Sequence, residues 1–576
     1  MSYSEVAGSG VRNGGTLVVE TLVAAGVEAI FGLHGAHVEP VFQACLDHGV
    51  RVVDTRHEAA AGHAAEGYAR TGRRLGVAVV TAGPGFANVV ISLTNASVDR
   101  TPVLYLSGAA PLDDPQSNVL QSGIDQLAVA APRAKWAHRV THTADIPRMV
   151  AQAVRVARTA PMGPVYLEIP TDVMHGTAAV APWPLTPLAT NGAPDVATLD
   201  HVLQLIATAE RPLLLAGASL HHGAAEAALR ELAETTGVPV FAEYEAMGLL
   251  PASHPLFGGT TWQLPRLVAE HQPDLVVSLG VRFGWDAPGF RQAVTARVVH
   301  VDHDAAELGK LVPVELGIVA DPAATARALA TRARAGAVKR AAEADVAAAA
   351  DGADRAADAV RAAWAGTVRA TMAEVRRAVA DARAEVGLHA AEAAGIICRA
   401  IGPDALVVAD GAFTKHWFDD VVMPDQPGGY LTHGRLGAMG VGMGMAVGAQ
   451  VAAPRRRVVL VTGDGSVGFN LAEFDTMVRH GLPIIVVVLN NHGWAACRVL
   501  QTAQRGADRI VGTALGAARY DQVMAAFGGD GARATTTDEL QTALDKALTG
   551  DRPTCIEVEL SDDFGFPPAM RSAMTR

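Results

Sequence analysis

Gly463-Asp464-Gly465-Ser466 directly follows an apolar run, Arg457–Thr462 (RVVLVT), and a second run, Ile484–Leu489, ends at Asn490-Asn491. Both runs have the length and β-branched content of buried strands. At the C-terminal ends of two parallel strands, the Asp464 carboxylate and the Asn491 amide oxygen can converge on one hard cation. Mg²⁺ prefers such oxygen ligands and keeps places for phosphate oxygens. Gly463, Gly465 and Ser466 then let backbone N–H groups approach a diphosphate. An Asp-Gly turn or an Asn-Asn loop is common by itself; the two together, each behind a buried strand, point to one site. A second group lies near the N-terminus. Phe31–His37 (FGLHGAH) opens a loop after the predicted strand Ala29–Phe31, and Asp54–Glu58 ends a strand and starts a helix. Glu58 places a carboxyl group at the helix start, where an apolar site would fit it for proton sharing. Its bland alternative is a helix N-terminal carboxylate favoured by the helix dipole.

The elements that must position these residues are short apolar runs: Gly76–Thr81, Val103–Ser107, Pro212–Ala216, Leu275–Leu279 and Ile484–Leu489. Continuous runs of this length suit strands buried on both faces of parallel sheets. Alanine-rich segments with helical spacing, such as Glu58–Arg70 and Ala224–Thr236, lie between them, so the predicted fold is α/β with doubly wound sheets. A Pro-rich passage at 180–195 and an Ala/Arg/Asp/Glu-rich stretch from about 335 to 385 mark boundaries. The predicted division is 1–185, 195–340, a surface helical linker at 341–387, 388–560, and a tail at 561–576. The chain has 576 residues, of which 50% are hydrophobic and 18% charged, which excludes intrinsic disorder. Its four cysteines have no paired spacing, which excludes a disulfide scaffold and fits a reducing cytoplasm. A net charge of −12 with no basic stretch argues against nucleic acid, and no long apolar run suggests a membrane span. The polar N-terminus carries no apolar secretory core. The middle segment has no G-x-G-x-x-G after a strand, which disfavours NAD-dependent redox chemistry.

The GDG…NN pattern closely resembles the diphosphate-binding signature of thiamine diphosphate (ThDP) enzymes, and the resemblance covers nearly the whole chain. It implies three doubly wound domains in order: pyrimidine-binding, middle Rossmann-like and diphosphate-binding. FGLHGAH, DTRHEAAAGHAAEGYAR (54–70), TAGPGFAN (81–88), LQSGIDQ (120–126), KWAHRV (135–140) and HGRLGAMGVG (433–442) narrow it to the benzaldehyde lyase and 2-hydroxyacyl-CoA lyase branch. By this resemblance Asp464, Asn491 and the Gly493 carbonyl would hold Mg²⁺. Glu58 would hydrogen-bond the cofactor's aminopyrimidine and promote loss of its C2 proton, while His37 and Gln121 would handle the substrate hydroxyl. Gly411, Ala412 and a wedging Met439 would support the pyrimidine, with Thr81 and His433 as further contacts. Ala36 and Ala496 would line the substrate pocket. Where benzaldehyde lyase has bulky aromatics this chain has Thr171, Lys415 and Leu500, which puts a snug benzaldehyde site in doubt.

Three function classes follow: a lyase or carboligase acting on a 2-hydroxy carbonyl compound, a 2-oxo acid decarboxylase or acetolactate synthase-like enzyme, and a silent subunit. The presence of Glu58, Asp464 and Asn491 disfavours the last, and His37 with Gln121 favours the first. A cation at Lys415, with Arg435, Arg498, Arg571 and Arg576 as further candidates, ranks a 2-hydroxyacyl-CoA thioester narrowly above a benzoin or acyloin. The stretch 561–576 is expected to close as a lid. The resemblance further implies a homodimer or homotetramer, with Glu58 and Asp464 of one site on different subunits.

Overall fold

A computed structural model describes residues 10–113, 119–188, 191–284, 290, 295–344, 351–385 and 387–561. Three six-stranded sheets, each parallel throughout, carry the chain. The first runs in the order Arg51–Asp54, Ala29–Gly32, Gly76–Val80, Val103–Ala109, Val165–Pro170, Trp136–Arg139. The second runs Phe257–Thr260, Val240–Ala242, Pro212–Ala216, Leu275–Leu279, Arg297–Asp302, Leu316–Val319. The third runs Tyr430–Thr432, Leu406–Asp410, Val458–Gly463, Ile485–Asn490, Thr554–Glu559, Asp530–Ala534. Central strands such as Gly76–Val80 and Leu275–Leu279 are buried at every position, as sheets covered on both faces require.

Two helices join the outer sheets and set the distance between the two predicted half-sites. Helix Glu58–Gly72 lies against helix Val441–Ala452, and both are almost wholly buried. Their sequences, EAAAGHAAEGYARTG and VGMGMAVGAQVA, hold small residues where the backbones meet. A β-carbon on Gly448 would stand 1.9 Å from the Ala64 carbonyl oxygen, and one on Gly67 would stand 2.3 Å from that of Met445. Larger side chains would force the helices apart and with them the residues at their N-terminal ends, Glu58 and the Met439–Gly440 turn.

Residues 179–188 form neither helix nor strand. The predicted surface linker is helical but does more than connect. Helix Asp351–Ala380 buries Trp364, Val368, Met372, Val375 and Val379, spaced along one face. Trp364 Nε1 donates to the Pro212 carbonyl oxygen at 2.8 Å, inside the second sheet's core. Composition hid this face, because its few large side chains are diluted by alanine and arginine. Among the described residues no helix is long and apolar enough to cross a membrane.

Candidate active site

The C-terminal half-site lies where strands Leu406–Asp410, Val458–Gly463 and Ile485–Asn490 end side by side. Asp464 starts a short helical turn and accepts the Gly493 N–H at 2.7 Å, which draws the loop after Asn491 onto the carboxylate. Tyr520 donates its hydroxyl to the Asp464 carbonyl oxygen at 3.1 Å, and Glu557 takes both the Asn490 amide and the Tyr520 N–H. His492 has a left-handed backbone, φ 55°, fixed by its N–H to Asn490 and by its ring against Glu559.

Gly411, φ +93°, sits against Ser466: a β-carbon there would be 2.8 Å from the serine oxygen. On the far side a β-carbon on Gly465 would enter the Trp494 ring. Gly465 and Trp494 belong to a cleft of ≈ 600 Å³ that Asp464, Phe469, Leu515 and Tyr520 also line.

This donor set fits a diphosphate-bound cation. Asn491 Oδ1 is buried without a hydrogen-bond partner, a cost that a ligated cation would remove. Burial pushes the Asp464 carboxyl up to about 6, and backbone N–H groups of Gly493 and Gly465 offset it only in part. Among the described residues no three His, Cys, Asp or Glu side chains cluster as a metal site.

The N-terminal half-site is a hydrogen-bonded relay. Thr81 donates its only hydroxyl proton to Gln121 Oε1 at 3.0 Å, so it accepts from His37 Nδ1 at 3.2 Å. This network sets the Nδ1–H tautomer and leaves His37 Nε2 with a bare lone pair. Burial, and then His175, hold the imidazole below its ordinary pKa, so it is neutral near pH 7. Helix Thr171–His175 packs beside the Ala36–Val38 turn, which brings Thr171 to this half-site; Ala36 itself is exposed. Glu58 is buried at the start of its helix, where His57 Nδ1 caps the Ala59 N–H. Asn88 donates to Glu58 Oε2 at 2.9 Å, and Oε1 has no partner among the described residues. Gly85 leaves room beside that free oxygen, since a β-carbon there would stand 3.5 Å from it.

Around the Met439 turn, Asp410 accepts the Gly440 and Gly442 N–H groups at 3.2 and 3.0 Å, while Met439 is 38% exposed. Burial holds the His433 imidazole down at about 4, with the nearby Lys415 adding to the effect, and Nδ1 bonds the Gly434 carbonyl oxygen. Ala412 and Lys415 share helix Ala412–Asp419, which touches helix Ala495–Arg505 carrying Ala496 and the exposed Leu500.

Two predicted substrate cations have partners within the fold. Lys415 is buried, pairs with Asp419 at 2.7 Å and stacks over Tyr244. Arg435 pairs with Glu243 at 2.7 Å and donates to the Arg282 carbonyl oxygen. Arg498 is half-buried and leans on the His492 carbonyl. Arg571, Arg576 and the predicted lid after Ser561 lie outside the described residues. Sequence reading gave no role to Asn88, Asp410, Trp494 or Tyr520. Only Asn88 carried a signal, as the last residue of the TAGPGFAN motif.

Three sequence-family models match in order: the N-terminal TPP binding domain of thiamine pyrophosphate enzymes over 12–129, the central domain over 199–329, and the C-terminal TPP binding domain over 410–558. A 2-hydroxyacyl-CoA lyase of Oryza sativa subsp. japonica is 31% identical over 579 residues, 95% of each chain. The chain belongs to the thiamine pyrophosphate enzymes. A probable acetolactate synthase of Mycobacterium bovis is equally similar, 30% identical over 98% of each chain. The fold matches that of a Rhodococcus jostii thiamine diphosphate-dependent 4-hydroxybenzoylformate decarboxylase, TM-score 0.78, at 22% identity over 96% of this chain and all of that one. This thiamine pyrophosphate enzyme therefore makes or breaks carbon–carbon bonds, and its α/β fold of three parallel-sheet domains is the family's.

Proposed function

We propose that this enzyme is a ThDP- and Mg²⁺-dependent lyase that cleaves a 2-hydroxyacyl compound, with the reverse reaction as carboligation. The observation that carries the reading is the His37–Thr81–Gln121 relay. It holds a neutral imidazole whose bare Nε2 takes the substrate hydroxyl proton as the adjacent carbon–carbon bond breaks. Gln121 keeps its amide N–H₂ for the developing oxyanion. Asp464, Asn491 and the Gly493 carbonyl would hold the cation, Gly465 and Ser466 would take the diphosphate, Gly411 would support the pyrimidine, and Glu58 would share a proton with its ring. The bound cofactor supplies a carbon nucleophile and an electron sink; the chain supplies orientation, proton transfer and exclusion of water.

A 2-hydroxyacyl-CoA thioester is the substrate class we favour, yielding an aldehyde or ketone plus formyl-CoA. The similarity to the rice lyase supports it, as do the slender side chains at Thr171, Ala496 and Leu500. Commitment of Lys415 and Arg435 to internal pairs removes the electrostatic argument and leaves an acyloin or benzoin as the second substrate. An acetolactate synthase-like reaction is the other reading, supported by the mycobacterial relative. The test is kcat/KM for 2-hydroxyisobutyryl-CoA, mandelyl-CoA, benzoin and pyruvate offered separately. Preference for benzoin refutes the thioester assignment, and CO₂ release from pyruvate refutes the lyase.

We further propose an obligate homodimer or a larger assembly in the cytoplasm, with the two half-sites of one centre on different subunits. Exposed apolar side chains beside both half-sites support it: Leu120 is 84% exposed and Phe469 59%. Sedimentation of active enzyme as a monomer refutes it.

A further inference from the structure

We propose that Gln126 is a positioning residue for the acid–base pair, because its amide ties together the two glycines on which His37 and Gln121 rest. This inference rests on the assignment of His37 and Gln121 to the substrate hydroxyl. Gln126 is buried and starts a short helix at the end of LQSGIDQ. Its Oε1 accepts the Gly83 N–H at 2.7 Å, and its Nε2 donates to the Gly108 carbonyl oxygen at 2.9 Å. One bond needs an acceptor and the other a donor, so the orientation of the amide is fixed.

Each glycine carries one member of the pair. A β-carbon on Gly108 would stand 2.2 Å from His37 Cβ, and one on Gly83, φ +61°, would stand 2.9 Å from Gln121 Cβ. Gln121 holds a left-handed backbone itself, φ 66°, which a non-glycine residue adopts only when its surroundings impose it. The Gln126 side chain is the link between the strand end at Gly108 and the loop at Gly83. Behind it, Nε2 also lies 3.2 Å from Glu168 Oε2 and from the Tyr166 hydroxyl, and 3.3 Å from Ser107 Oγ. Glu168 is in turn paired with Arg139. By contrast, Glu58 is held by Asn88 and Asp464 by Gly493, and among the described residues neither Asn88 nor Gly493 bonds Gln126.

Two variants test this. Gln126→Met keeps the volume and loses both hydrogen bonds. We expect kcat to fall at least tenfold, with ThDP affinity and C2-proton exchange of bound ThDP within twofold of the parent. Gln126→Glu reproduces both bonds only when protonated, one oxygen accepting from Gly83 and the hydroxyl donating to Gly108. Burial beside Glu168, only partly countered by Arg139, raises the introduced carboxyl. Its kcat relative to the parent should therefore rise as pH falls from 8 to 6, while that of Gln126→Met should show no such rise.

A readout independent of turnover is the His37 titration in cofactor-free protein, followed by NMR of 13Cε1-histidine and assigned with His37→Ala. In Gln126→Met the His37 pKa should move up toward 6.5 as the ring loses its buried seat. Parent-like kcat in Gln126→Met overturns the proposal. So does a loss of ThDP affinity and exchange in step with kcat, which would mark a merely structural residue. If the parent turns over none of the 2-hydroxyacyl compounds, the functional reading falls, and the His37 titration still decides the role of Gln126.

Discussion

Glu58→Gln separates the acid from its scaffold. Asn88 donates to Oε2 at 2.9 Å, and that N–H still needs an acceptor after the substitution. The glutamine carbonyl oxygen takes that place, which leaves the amide N–H₂ where Oε1 stood, facing the cofactor's ring nitrogen. An amide can donate a hydrogen bond there but cannot transfer a proton. The loss is that of a positioned acid–base group, about 10²–10⁴-fold in rate, or about 3–5 kcal/mol of barrier at 1.36 kcal/mol per tenfold. Stability should change by no more than about 1 kcal/mol, since only the interaction of a carboxylate with the helix N-terminus is removed. The direct assay is hydrogen–deuterium exchange at C2 of bound ThDP, by acid quench and NMR. Exchange at the parent rate, in enzyme saturated with ThDP, would falsify the assignment of Glu58 as the activating acid. Asn88→Ala frees Oε2 without removing the acid and should cost far less.

Asp464→Ala should weaken ThDP binding measured in the presence of Mg²⁺, because the cation loses its one charged ligand; equal affinity would place the metal elsewhere. Mixed with Glu58→Gln enzyme, it should recover part of the activity if the two half-sites of one centre come from different subunits. Lys415→Ala leaves the fully buried Asp419 with His416, Tyr244 and Tyr430 as its partners among the described residues. Removing one member of a buried pair costs about 3–5 kcal/mol, so thermal unfolding should drop by several degrees without a selective rise in KM for a charged substrate. A higher KM at unchanged melting temperature would return Lys415 to the pocket. His221 is buried, bonded to the Arg70 carbonyl and to Arg73, and burial holds its pKa down at about 3. The unfolded chain therefore binds a proton that the folded one refuses, and stability should fall as pH drops from about 6.5 toward 3. His221→Gln should flatten that slope in denaturant titrations, and an unchanged slope would point to other groups.

Strands were legible because burial on both faces writes them as unbroken apolar runs. Pro212–Ala216 and Leu275–Leu279 match the structure end to end, and Ile484–Leu489 is displaced by one residue. The proposed half-sites were placed from the sequence where one motif carries both the strand end and the candidate group, as with Asp464, Asn491 and Glu58. Asp419, the ion-pair partner of Lys415, lies one turn along its own helix, whereas Tyr244 comes from the middle domain and only the fold brings it to Lys415. Asn88 and Gln126 sat in quoted motifs, yet their roles depend on what faces them across the sheet end, which no local pattern encodes. Trp494 belongs to a loop set by a distant backbone bond, its N–H to the Thr513 carbonyl oxygen at 2.8 Å, and Tyr520 opens the helix Tyr520–Ala526 with its N–H on the distant Glu557.

The helix Asp351–Ala380 bears on how this chain can be cut and recombined. A middle unit ending near residue 340 would expose the sheet face that Trp364, Val368, Met372 and Val375 cover, each worth on the order of 1.5–3 kcal/mol of burial. The heritable module is thus longer than its sheet. A chimera that exchanges the second sheet between relatives should carry its crossover past Ala380, where the helix ends, and one joined at residue 340 should yield insoluble protein.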